Sequence, residues 1–206
     1  MSRVSACRGQ TFSASALAIS IVVIAVALIV VNFTPRKVTV QSLDALLVRG
    51  ELYSIVVNAL SHASRGGDFR SFLNSQMNLA SEDYIPVESY QVRQVVIREG
   101  VSSCSVTFKL PYGYEEFEVY LEAELLSKDS YYDQTLNIYV VVLEVKVACD
   151  QYYPKSIVFY TEEGYRTSYY RESERYIVKV YMDALSPFKL YCVDWRGVQT
   201  YLSVSP

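Results

Sequence analysis

From Gly9 to Pro35 the chain carries no charged residue, and between Ala14 and Val31 only Ser15 and Ser20 interrupt an apolar run. Few environments accept such a segment. A helix on the surface of a soluble domain keeps a polar face, whereas a helix surrounded by lipid is apolar all round. About 20 apolar residues rising 1.5 Å each cross a hydrocarbon layer of roughly 30 Å, and Phe12–Phe33 is long enough to do so. The expectation is a single transmembrane helix within residues 10–34, with membrane lipid as its partner. Arg3 and Arg8 flank one end and Arg36, Lys37 and Arg49 the other, so basic residues alone leave the orientation near a tie. The acidic, tyrosine-rich remainder fits an exterior location. The chain is therefore read as single-pass in the cell membrane, with a short leader (1–9) inside and the C-terminal domain outside.

The apolar run ends Leu28-Ile29-Val30-Val31-Asn32-Phe33 with no small-x-small site behind it, which argues against cleavage of an ordinary secretory signal there. The residues in front of it carry more. Arg8-Gly9-Gln10, a basic residue, a glycine and a polar residue opening a long apolar helix, resembles the prepilin type of signal in type IV pilin-like proteins, archaeal ones above all. The resemblance implies a membrane peptidase as partner, cutting between Gly9 and Gln10 and removing Cys7. It also implies a retained apolar helix that packs with like subunits in a surface filament or secretion assembly. Bacterial pilins usually carry glutamate at the fifth mature position, where Ala14 stands here. The alternative is an uncleaved signal anchor carrying an ectodomain that binds a ligand, glycan or partner protein.

Residues 35–86 read as a helical region. Pro35 interrupts any helix crossing the membrane boundary. Ser42 is the expected cap of a helix to about Ser64, with Leu43, Leu46, Leu47, Tyr53, Val57 and Leu60 near helical spacing. Arg65-Gly66-Gly67 is its expected stop. Asp68 opens a second helix whose Phe69, Phe72, Leu73, Met77 and Ala80 share a face. Two such helices are a departure from many archaeal pilins, which pass more directly into their sheet.

From about Glu88 the apolar period changes to two. Cys104, Val106, Phe108 and Leu110 alternate with polar residues, as do Phe117, Val119, Leu121, Ala123 and Leu125. These are strands with one wet face. Ile138–Leu143 is apolar on both faces and is expected centrally in a sheet. Further strands are expected over Ser156–Thr161, Tyr165–Tyr170, Arg175–Met182, Phe188–Asp194 and Val198–Val204. Their turns fall at Glu162-Glu163-Gly164 and Trp195-Arg196-Gly197. The fold class is α+β, with the anchor, two short helices and then, over 87–206, an antiparallel β-rich, sandwich-like domain or a sheet packed on the helices.

Net charge is −3, and setting aside Arg3 and Arg8 leaves −5 for the remainder, without a Lys/Arg cluster. Nucleic acid is not an expected partner. Cys104, Cys149 and Cys192 form no C-x-x-C pair, so no metal site is expected. They are either one disulfide plus a spare thiol, or three buried thiols. Glu116, Glu118, Glu122 and Glu124 line one strand face, which either attracts a basic partner or is a solvated face discouraging aggregation. Asp129 and Asp133 flank a tyrosine pair in an expected loop without the calcium-binding spacing. His62 is the sole histidine and sits where it complements a helix end. No nucleophile motif surrounds it, so no enzyme activity, catalytic residue or cofactor is expected. Tyr152-Tyr153, Tyr169-Tyr170 and Trp195 are either an aromatic binding surface or structural strand residues.

Overall fold

A computed structural model describes residues 38–82, 85–150 and 156–205. The leader, the apolar segment Phe12–Phe33 and Arg8-Gly9-Gln10 lie outside the described residues. Among those described, no helix is long and apolar enough to cross a membrane. The chain divides into two compact units, 1–47 and 48–206, and of the first only the start of a helix is described.

That helix, α1, spans Val38–Ser64, and α2 spans Phe69–Glu82. Ser42 does not cap α1: helical residues continue on both of its sides, so it faces no helix start with free N–H groups. The stop is as the sequence indicates. Gly67 N donates to His62 O at 3.1 Å and Gly66 N to Ala63 O at 2.9 Å, with Gly66 at φ +93°. This paired bonding with a left-handed residue is the Schellman ending, and it satisfies carbonyls that the last turn would leave orphaned. Asp68 then caps α2, its Oδ1 accepting the Ser71 N–H at 2.6 Å.

Among the described residues nine strands follow: β1 Ser89–Arg98, β2 Val101–Leu110, β3 Gly113–Asp133, β4 Ile138–Cys149, β5 Ile157–Thr161, β6 Arg166–Glu172, β7 Arg175–Met182, β8 Phe188–Asp194 and β9 Gln199–Val204. They form a six-stranded sheet, ordered β1-β2-β3-β4-β7-β6, and a three-stranded sheet, ordered β5-β8-β9. Every pairing is antiparallel. The molecule is thus α+β, mostly antiparallel sheet with two short helices. The doubly apolar β4 lies between β3 and β7, where both faces need covering.

One apolar core joins the elements. Leu52, Val56 and Leu60 of α1 and Leu73 of α2 are fully buried together with Val106, Phe108, Val119, Leu121 and Leu143 of the large sheet and Leu190 of the small one. The two sheets also touch through their backbones. Gly100, in the β1–β2 turn, donates to Tyr201 O at 2.8 Å and accepts from Ala123 N at 2.8 Å. Ser102 Oγ donates to Gln199 O at 2.6 Å. Gly100 stands at φ +75°, and a Cβ there would lie 2.9 Å from the Ala123 carbonyl oxygen. Only glycine meets both demands.

Candidate functional site

Among the described residues, the strongest concentration of buried charge lies where the β8–β9 turn meets α1 and the end of β4. Asp194 closes β8, and its Oδ1 accepts the N–H groups of Arg196 at 2.9 Å and Val198 at 3.0 Å. An aspartate holding the backbone two residues on is the local device that forms such a turn. It aims Arg196 inward. The guanidinium, 5% exposed, donates through Nε to Asp194 Oδ2 at 2.6 Å. Through Nη1 it meets Asp150 Oδ1 and, at 2.9 Å, the Tyr53 hydroxyl. Through Nη2 it donates to Tyr120 O at 3.0 Å. Tyr53 in turn donates to Asp150 Oδ2 at 2.7 Å.

Four places in the chain, at Tyr53, Tyr120, Asp150 and Asp194, therefore converge on one cation. Burial disfavours the charged guanidinium, but the bonds and charges of Asp150 and Asp194 outweigh it and raise the Arg196 pKa further. The two carboxylates are spent on Arg196, and the only hydroxyl in the cluster, Tyr53, is spent on Asp150. The arrangement is suited to fixing α1 against the large sheet. It offers no activated nucleophile.

The cysteines are a second buried set. Cys104, Cys149 and Cys192 are all buried, and none is in a disulfide. Their placement explains why. Cys104 on β2 lies opposite Val119 of β3, and Cys149 on β4 lies opposite Leu121 of β3. A whole strand separates them, about 10 Å, beyond the reach of a disulfide. Cys192 belongs to the other sheet. Burial, followed by the charge of Asp150, pushes the Cys104 thiol up to about 12, and burial raises Cys192 as well.

Glu116, Glu118, Glu122 and Glu124 are exposed along β3. Glu116 takes Arg93 Nη1 at 2.8 Å, and Glu124 stands opposite Lys146. Glu122, Glu124, Glu99 and Lys146 rim an open cavity of about 490 Å³ floored by Val101, Leu125 and Leu202. Asp129 and Asp133 lie on β3 itself, which corrects the expectation of a loop: β4 pairs with β3 as far as Asp133↔Ile138. Asp133 Oδ1 accepts the N–H groups of Thr135 and Leu136, closing the hairpin. Among the described residues no three His, Cys, Asp or Glu side chains gather as a metal site. His62, exposed, stacks on Phe72 at 4.6 Å beside the Gly66-Gly67 stop.

Of the aromatic residues singled out in the sequence, Tyr152-Tyr153 lie outside the described residues. Trp195 packs against the core. Tyr170 is 55% exposed, while Tyr169 meets the buried Phe159 edge-on at 5.2 Å. The principal aromatic face is one that sequence reading missed. Tyr160, Tyr191 and Tyr201 stand opposite one another across β5, β8 and β9. Tyr160 and Tyr191 stack at 5.1 Å with rings 9° from parallel, and Lys189 lies over Tyr201 at 5.7 Å. Stacked rings spend their faces on each other, and the Tyr160 hydroxyl donates to Gln199 Oε1 at 3.0 Å. The signal was present, since each tyrosine alternates with a buried residue, but the row exists only once the register is known. Arg196 was equally hidden, readable as a turn residue and no more.

No family model matches this chain, and neither a curated protein nor a solved structure matches it.

Proposed function

We propose that the chain is a membrane-anchored, pilin-like or pseudopilin-like structural subunit of a cell-surface filament or secretion assembly. The observation that carries the reading is Arg8-Gly9-Gln10 set directly against the uncharged stretch that ends at Pro35. In this reading Phe12–Phe33 is stored in the bilayer with the C-terminal domain outside. A prepilin peptidase removes residues 1–9, and the freed helix packs with those of like subunits.

The described residues support it in one respect. α1 follows the apolar segment in sequence, and its part from Leu52 onward is packed in the core, where Arg196 bonds Tyr53. Mass spectrometry of the membrane-extracted protein tests the proposal. The mature chain is expected to begin at Gln10, and an intact leader in the membrane fraction would overturn it.

A second reading, a permanently anchored ectodomain that binds a ligand, glycan or partner protein, is favoured by the Tyr160–Tyr191–Tyr201 row and by exposed Tyr170. It requires an uncleaved N-terminus and a discrete small oligomer in detergent, so the same measurement separates the two.

A further inference from the structure

The large sheet ends in β1, which pairs with β2 on one side. In an antiparallel pair alternate residues turn their N–H and C=O groups away from the partner. β1 therefore carries a row of backbone groups on its open side, and among the described residues no other backbone bonds them. β9 meets this hairpin at its far end, through Glu99 and Gly100. Near the start of β1 the open side is walled by α2. Arg70 and Asn74, one turn apart on that helix, and Tyr90, Gln91 and Val92 of β1 line a cavity of about 460 Å³. Tyr90 and Val92 pack on the core, while Gln91, on the opposite face, is exposed. A cavity touching all three follows the margin of the sheet. The Tyr90 hydroxyl donates to Asn74 Oδ1, which ties the strand to the helix wall.

Charge narrows what lies in that groove. Arg70 stands in the first turn of α2, two residues past the Asp68 cap, where the positive end of the helix dipole disfavours a cation. Its side chain is exposed, and Asp68 is taken by the Ser71 N–H. Among the described residues no carboxylate is within ion-pair reach of Arg70. An unpaired cation in that place is a local cost that the fold does not offset. β1 itself contains Arg93 and Arg98 and no acidic residue, in a chain of net charge −3. A second copy offering the same edge would bring two arginine-bearing strands together, and like charges across a strand pair are destabilising. An acidic strand is the complementary match.

We infer that β1 and α2 form a docking groove for an extended acidic peptide of another protein, which adds to the sheet as a strand beside β1 and sets one carboxylate on Arg70. Backbone groups of β1 supply affinity, the cavity takes one side chain, and the guanidinium selects its charge. The groove goes beyond the pilin-like reading and is independent of processing after Gly9.

Selection of random heptapeptides displayed on phage, against the full-length protein in detergent, tests it, with Arg70→Glu screened in parallel. Glutamate in the first turn of α2 suits the helix dipole, so the variant is expected to keep the wild-type circular dichroism spectrum. The wild type is expected to enrich β-forming peptides with Asp or Glu at one fixed position, and Arg70→Glu to enrich Lys or Arg there. In fluorescence anisotropy the best wild-type peptide, made synthetically, is expected to bind Arg70→Glu about tenfold more weakly, the loss of one charged hydrogen bond. N-methylation of that peptide at alternate residues is expected to abolish binding, and at the intervening residues to leave it unchanged, as pairing along one edge requires. No enrichment, a consensus shared by wild type and variant, or equal sensitivity to methylation at every residue would each overturn the proposal.

Discussion

Arg196 shows how much one side chain is asked to hold. It bonds two carboxylates, one hydroxyl and one carbonyl while almost wholly buried. Its removal would leave Asp194, fully buried, and Asp150 without their cation. Breaking a buried pair by deleting one partner typically costs about 3–5 kcal/mol. Arg196→Ala is accordingly expected to lower unfolding stability by that order in urea titration, and Tyr53→Phe by clearly less. The thiols act in another direction. Cys104 is protonated in the fold up to about 12 but has an ordinary value of 9.0, so its contribution is complete below pH 9 and is lost as pH climbs from 9 towards 12. Each such thiol steepens the alkaline loss by about 1.4 kcal/mol per pH unit across its window. Replacing Cys104 and Cys192 by alanine is expected to flatten that slope in pH-dependent denaturation.

At the scale of elements, the two devices separating α1 from α2 behave as their chemistry requires. Asp68→Ala removes the cap on Ser71 and is expected to cost about 1 kcal/mol. The β1–β2 turn is stricter. Gly100→Ala meets both a positive φ and a backbone oxygen at 2.9 Å, so a loss of about 1–3 kcal/mol in thermal or urea unfolding is expected. Strand positions were legible because alternation is local: Phe117, Val119, Leu121 and Ala123 are buried in turn, and the glutamates between them are exposed. The far end of β3 was not legible. The bulge between Leu125 and Ser127 breaks the alternation, and Asp129–Asp133 have the composition of a loop while pairing as a strand.

For the whole molecule, the unit 48–206 carries the shared core of helices and sheets. A chain begun at Val48 is expected to be soluble without detergent and to unfold cooperatively, whereas the full-length chain is expected to fractionate with membranes. A full-length chain that stays in the aqueous fraction would remove the basis of the anchor. The helices contribute to that core as fully as the strands do, with Leu52, Leu60 and Leu73 inaccessible to solvent. The domain is then held to α1 by packing and by the Arg196 cluster together.

Local chemistry determined what depends on neighbours in the chain: the uncharged apolar segment, the glycine stop of α1, the aspartate cap of α2, and strands written as alternating residues. These need only bond geometry and the period of a side chain. Tertiary structure alone decided which strands are adjacent, that Cys104 and Cys149 are kept apart by β3, and that three tyrosines distant in sequence form one row. It also decided that an arginine in a tight turn sits between two aspartates 44 residues apart. The physical reason is the same in each case. Register and sheet order are set by burial across the whole core, and no short stretch of sequence contains that information.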